Sequence, residues 1–231
     1  MIFLSLFILA TVLSYYGTDF IRKNSNKLYI LSAGIAVADI ALQIYLLKNT
    51  IRLQGTMGSL ESVLSRGILG TALISVVMYV GALNARWDYS KKIRSIRAEL
   101  SIIACFFMFP HNVMYAYHSI KNWMRILGSD SPNINLPTIL LSVFGIVAVS
   151  LLIPLFVTSF KSVRRKMKPA AWKKLQSYSY LFYAMIYGQI LTAYLGFENR
   201  RNYVTAACYS IVFLSYAVLR LRKKFASAKK A

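Results

Sequence analysis

His111, Gln176 and Gln189 stand inside stretches apolar enough to cross a bilayer, in a chain with only two histidines. Imidazole is the commonest biological metal ligand and can also carry a proton. An amide can hydrogen-bond but is a much poorer metal ligand than imidazole. Polar and ionisable groups in hydrocarbon are costly unless they face the bundle interior and find a partner, so each one marks a candidate site. The set within or bordering apolar segments is Asp39, Gln43, Arg66, His111, Asn112, His118, Gln176 and Gln189, with Arg97 at the start of the segment that carries His111.

Helix geometry sorts these groups by depth. His111 falls about thirteen residues into its segment and Gln189 about fourteen into its own, and both segments enter from the same side, so the two share a level. Gln176 falls near the basic side with Arg97 and Glu99, and a straight helix puts it about 19.5 Å below Gln189 and about 220° around from it. Two polar levels are therefore expected. Pro110 removes a helical hydrogen bond just before His111 and predicts a kink there, either an ordinary bend or one that aims the ring inward. His118 reads as a solvated histidine near the far interface. Asp39 and Gln43 share one helical face, where the carboxylate suits a partner such as Arg66 or a hydroxyl better than a proton relay. The tyrosines read as an aromatic belt and amphipathic filler.

The elements that must position these groups follow from composition. With 57% hydrophobic and 15% charged residues, the chain is a multi-spanning membrane protein, all-α, with seven expected spans over 1–21, 28–47, 63–85, 99–118, 137–160, 175–196 and 202–221. The first run lacks a basic leader and a small-residue cleavage site, so it reads as a retained span. The net charge of +21 sits in short loop clusters, which argues against nucleic-acid binding. Lys and Arg divide 21 to 7 between the two sides, which puts the N-terminus outside and the C-terminus in the cytoplasm and favours anionic lipids at the basic face. Cys105 and Cys208 lie singly in expected spans and suggest neither a disulfide framework nor a zinc site. No nucleotide-binding or protease motif stands in a suitable context, so NAD(P)H or ATP chemistry within this chain is not indicated.

The segment "IRAELSIIACFFMFPHNVMYAYHS", together with "TSFKSVRRKMKPAAWKKLQSYSYLFYAMIYGQIL", resembles the ferric reductase-like transmembrane family. Within that family it looks most like the haem-binding membrane subunit of periplasmic methionine sulfoxide reductase systems (MsrQ-like). That pattern has an arginine at the start of a span and a histidine fourteen residues on. A basic loop then ends in Trp-x-x-Leu-His, with a further histidine thirteen residues beyond. Here the frame runs Arg97 to His111, then Trp172-Lys173-Lys174-Leu175-Gln176, then Gln189, and the resemblance covers about 60–222. It implies a two-span segment over 1–59, the family bundle over 60–222 and a basic cytoplasmic tail over 223–231. It also implies b-type haems held by axial histidines, carrying electrons from a cytoplasmic donor or membrane quinol to an extracytoplasmic redox partner.

Carried over position by position, the cofactor-binding set is His111, Gln189, Gln176 and Arg97, with His111 alone able to ligate a metal. The two glutamines occupy ligand positions without being ligands. An inner haem is therefore not expected, while an outer one could be held by His111 alone or with Gln189 or Met185. Flavin, quinone or no cofactor stay open beside it. The leading reading is an electron-transfer subunit without its own NAD(P)H domain, in the cell membrane. The alternative is a cofactor-free scaffold or partner-binding subunit, and a small-solute transporter is a distant third.

Overall fold

Long apolar runs with few internal glycines or prolines fold as helices, because in lipid each backbone amide must be satisfied within its own segment. The computed structural model describes residues 1–129 and 134–228, and these hold helices and no strand. In chain order the α-helices are α1 (Ile2–Tyr16), α2 (Thr18–Lys23), α3 (Ser25–Lys48), α4 (Gly55–Ser65), α5 (Ile68–Ala82) and α6 (Asp88–Ser95). Then come α7 (Arg97–Leu127), α8 (Leu136–Val157), α9 (Lys161–Arg164), α10 (Pro169–Ser177), α11 (Ser179–Leu195) and α12 (Tyr203–Ala228). Local chemistry sets several starts. The Asn135 side chain accepts from the Thr138 amide at 3.0 Å to cap α8, which has Pro137 in its first turn, and α10 likewise opens on Pro169.

Four of the helices, α3, α7, α8 and α12, are long and apolar enough to cross a membrane, or five segments if the pair α4 and α5, bent by 49°, counts as one. The chain is thus a multi-pass membrane protein. Two further expected spans are helical but shorter or interrupted. The first is broken at Gly17 between α1 and α2. The sixth is not the straight helix expected over 175–196: it breaks at Tyr178, whose amide bonds back only three residues to Leu175. The straight-helix angle between Gln176 and Gln189 therefore does not apply. By contrast α7 runs unbroken through the buried Pro110.

α5 is the central helix, packed against α1, α7 and α12, while α8 pairs with α11 and α3 lies along α7. Small residues make these approaches close. Ala72 and Ala104 are fully buried between α5 and α7, in a core with Ile74, Met108, Phe182 and Phe213. Tyrosines tie the helices together from inside: Tyr183 donates to Ser75 at 2.9 Å, Tyr187 to Ser210 at 2.8 Å and Tyr79 to the Val212 carbonyl at 2.7 Å. Their phenols satisfy hydroxyls and carbonyls that lipid cannot, in keeping with the filler role expected for them. Cys105 is buried in the core, Cys208 is half-buried, and both are free thiols.

Candidate functional site

Two cavities lie one above the other between α7, α8 and α11, sharing Leu152 and Phe182 as a common wall. The larger, of about 520 Å³, is lined by Arg66, Met108, His111, Tyr115, Gln189 and Tyr209 among others. The smaller, of about 390 Å³, is lined by Arg94, Arg97, Lys161, Arg164, Trp172 and Gln176 among others. Both are in the size range of small-molecule sites, roughly 300–1,000 Å³.

The His111 cavity is shaped by the break between α4 and α5. Gly67 sits there with φ of +66°, a left-handed conformation that suits glycine, and a Cβ on it would stand 3.2 Å from the Cβ and Cγ of His111. Ending α4 at Ser65 also frees that residue's carbonyl from helical pairing. His111 Nδ1 meets it at 3.2 Å. A carbonyl can only accept, so Nδ1 carries the proton, and in the neutral ring Nε2 is left with its lone pair. Among the described residues Nε2 has no hydrogen-bond partner. Gln189 sits against α8, its amide nitrogen 3.2 Å from the point where a Cβ on Gly145 would stand. Arg66 lines the same cavity and has no carboxylate partner among the described residues.

The smaller cavity lies where the basic segments converge. Arg94 comes from α6, Arg97 from the first turn of α7, Lys161 and Arg164 from α9, and Trp172 and Gln176 from α10. Gln176 donates to the Thr158 hydroxyl at 3.2 Å and Trp172 to the Thr158 carbonyl at 3.1 Å, which fastens α10 to the end of α8. The carboxylate of Glu99, 3% exposed, is met by Lys161 at 3.0 Å. Arg164 lies over the Trp172 ring at 5.4 Å.

The four residues singled out by the resemblance thus fall as two pairs: His111 with Gln189 in one cavity, Arg97 with Gln176 in the other. Other expectations fare differently. Asp39 is buried, but its partner is Gln43 on its own helix, at 2.8 Å, and not Arg66. An i, i+4 amide was simply nearer than a residue on another helix. Met185 does not line the His111 cavity and packs against the apolar core instead; Met108 lines the cavity in its place. His118 is exposed, against Tyr117. Sequence reasoning missed Ser65 and Gly67. The signal was the run Ser65-Arg66-Gly67 near the start of the expected third span, which should have moved that start to Ile68.

The two cavities differ in fitness for haem. Iron in haem takes imidazole, thiolate, thioether or phenolate as axial ligand. In the larger cavity His111 fits. A ligating imidazole commonly donates its other N–H to a backbone carbonyl, and the Ser65 contact is of that kind. Arg66 adds a cation suited to the carboxylates that haem carries. The smaller cavity does not fit. It has no imidazole, its Cys105 and Met78 are embedded in the apolar core, and its guanidinium and ammonium groups only donate hydrogen bonds and repel a metal cation.

Helices of membrane length packed around internal cavities define an integral membrane bundle with no separate soluble domain among the described residues. The chain belongs to the family described as ferric reductase like transmembrane component, which matches residues 66–187, more than half of its length. It is also 28% identical over 216 residues to an uncharacterised protein of Treponema pallidum (strain Nichols), covering 91% of this chain. The chain spans 57% of the length of that relative. No solved structure matches it.

Proposed function

We propose that this chain is a membrane electron-transfer component with one cofactor site, the cavity lined by His111, Gln189 and Arg66. The observation that carries the reading is the imidazole of His111, lining that cavity with Nδ1 held by the Ser65 carbonyl and Nε2 unpaired. A b-type haem bound there would supply reversible one-electron chemistry. His111 would ligate it, Ser65 would fix the ring's tautomer and orientation, and Arg66 would meet its anionic edge. Gln189 would hydrogen-bond rather than ligate. The smaller cavity would hold no haem, so electrons reach the site from a lipid-soluble carrier or a partner protein and leave to an extracytoplasmic redox partner, as in an MsrQ-like subunit.

The reading includes seven passes through the cell membrane, with the N-terminus outside. α1, at 15 residues, extends only about 22 Å, short of the roughly 30 Å hydrocarbon core, and would cross with α2 completing its length. α10 would do the same for α11.

The test is the absorption spectrum, oxidised and dithionite-reduced, of the protein purified from cells supplied with haem, beside His111→Ala. A Soret band that shifts on reduction and is lost in the variant is the expected result. A featureless spectrum from a folded protein would overturn it in favour of a cofactor-free partner-binding subunit, a reading favoured by the three non-imidazole groups at Gln176, Gln189 and Arg97.

A further inference from the structure

The smaller cavity has a composition of its own that the electron-transfer reading does not use. Of its four cationic side chains, only Lys161 has a carboxylate partner among the described residues, the buried Glu99 at 3.0 Å. Arg94 reaches only the Val80 carbonyl, at 3.4 Å, and Arg164 lies over the Trp172 ring. Arg97 has no ion-pair partner among the described residues. Glu99, the one carboxylate that lines the cavity, is thus taken up by Lys161, and three guanidiniums converge there without a carboxylate of their own among the described residues. Such an arrangement is electrostatically unfavourable unless an anion offsets it.

The surrounding groups select the kind of anion. Guanidinium presents a planar fork of donors that matches phosphate oxygens, and several such forks suit an anion of more than one negative charge. The first turn of α7, a helix of 31 residues, lines the same cavity through Arg97, Ala98 and Glu99, so the positive end of its dipole lies beside it. Gln176 keeps one amide hydrogen beyond its bond to Thr158, and the wall shared with the larger cavity is apolar through Leu152 and Phe182. Basic pockets between membrane helices are suited to phosphate-bearing head groups.

We infer that the cavity bounded by Arg94, Arg97, Arg164 and Gln176 is a binding site for a phosphate group, presented by an anionic lipid head group or by a soluble phosphate compound. It occupies the level where the family resemblance places an inner haem, and it does not depend on what fills the larger cavity.

The experiment is thermal unfolding of the full chain in a neutral detergent at constant ionic strength. It is titrated separately with inorganic phosphate against chloride, and with dihexanoyl phosphatidylglycerol against dihexanoyl phosphatidylcholine. Saturable stabilisation by both anions supports a site that reads the phosphate itself. Stabilisation by phosphatidylglycerol alone assigns the lipid, and by inorganic phosphate alone the soluble compound. Arg97→Gln and Arg164→Gln should each raise the half-saturating concentration by about tenfold or more, the loss of one charge-assisted contact. Arg86→Gln, an exposed cation of the neighbouring loop outside the cavity, should leave it unchanged. Arg164 lies on the short α9, so that variant keeps the test informative if Arg97→Gln fails to fold. No saturable stabilisation by either anion, or an equal effect of Arg86→Gln, would overturn the inference.

Discussion

Replacing Gly67 by alanine tests the local design of the His111 cavity. The backbone there has φ of +66°, and forcing an L-residue with a Cβ into the left-handed region costs about 1–2 kcal/mol. The new methyl would also stand 3.2 Å from His111 Cβ and Cγ, closer than the roughly 3.5–4.0 Å optimum for carbon contacts, so the ring must retreat by a few tenths of an ångström. Both effects destabilise. At about 2–4 °C per kcal/mol for a chain of this size, Gly67→Ala should melt about 2–8 °C below the parent in detergent. Two further variants separate the causes. Gly67→Asn tolerates the left-handed backbone but keeps the contact with His111, so it should lose less stability while still disturbing the ring. Gly34→Ala, in α3, meets nothing within 4 Å and should cost nothing. A Gly67→Ala melt equal to the parent, or a comparable loss in Gly34→Ala, would refute the reasoning that the break after Ser65 needs glycine for both backbone and ring.

A Cβ at Gly70 would meet the Ala104 carbonyl and the Met108 amide at 3.0 Å each, so Gly70→Ala should push α5 from α7 and cost about 1–3 kcal/mol, read as a lowered melting temperature. Lys161→Met strands the Glu99 carboxylate at the bundle end; because the ammonium is 59% exposed, the expected cost is about 1–3 kcal/mol and not that of a fully buried pair. Glu99→Gln should cost less, and a double-mutant cycle would show the coupling. Tyr183→Phe removes a buried bond to Ser75, whose hydroxyl still donates to the Thr71 carbonyl, so its loss should fall at the low end of about 0.5–1.5 kcal/mol. Gln189→His places a second imidazole in the His111 cavity, and the haem retained per protein in purified samples should rise; an unchanged ratio would count against haem at this site.

The pairing of four polar residues at two levels was legible because it depends only on helical rise and on which ends of the segments are basic. Those inputs place Gln176 with Arg97 and Gln189 with His111, and the two cavities are lined by the same two pairs. What was not legible is where helices break. Residues 63–85 read as one apolar run, yet the chain bends at Arg66 and Gly67, and the Ser65 carbonyl it frees is what holds His111. Residues 175–196 likewise read as continuous, and Tyr178 has no residue-type signature of a break; the cause is tertiary, since Trp172 and Gln176 tie α10 to the Thr158 end of α8. The Asp39 partner was misjudged for a related reason. Hydropathy ranks a carboxylate in lipid as needing a cation, but the nearby Gln43 amide satisfies it within α3.

The two levels also separate room from chemistry. The shared wall of Leu152 and Phe182, and the close approach of α5 to α7 at Gly70, Ala72 and Ala104, are set by side-chain volume and not by any ligand. A cavity built this way keeps its shape whichever polar residues face it. At the His111 level a single imidazole with an orienting carbonyl leaves a lone pair available for a metal. At the Arg97 level the same kind of space is lined by four cationic side chains against the one carboxylate of Glu99, and the occupant inferred there is an anion. One frame therefore supports two different chemistries stacked along the bundle, and the residues that decide between them are the few that carry a free lone pair or an uncompensated charge.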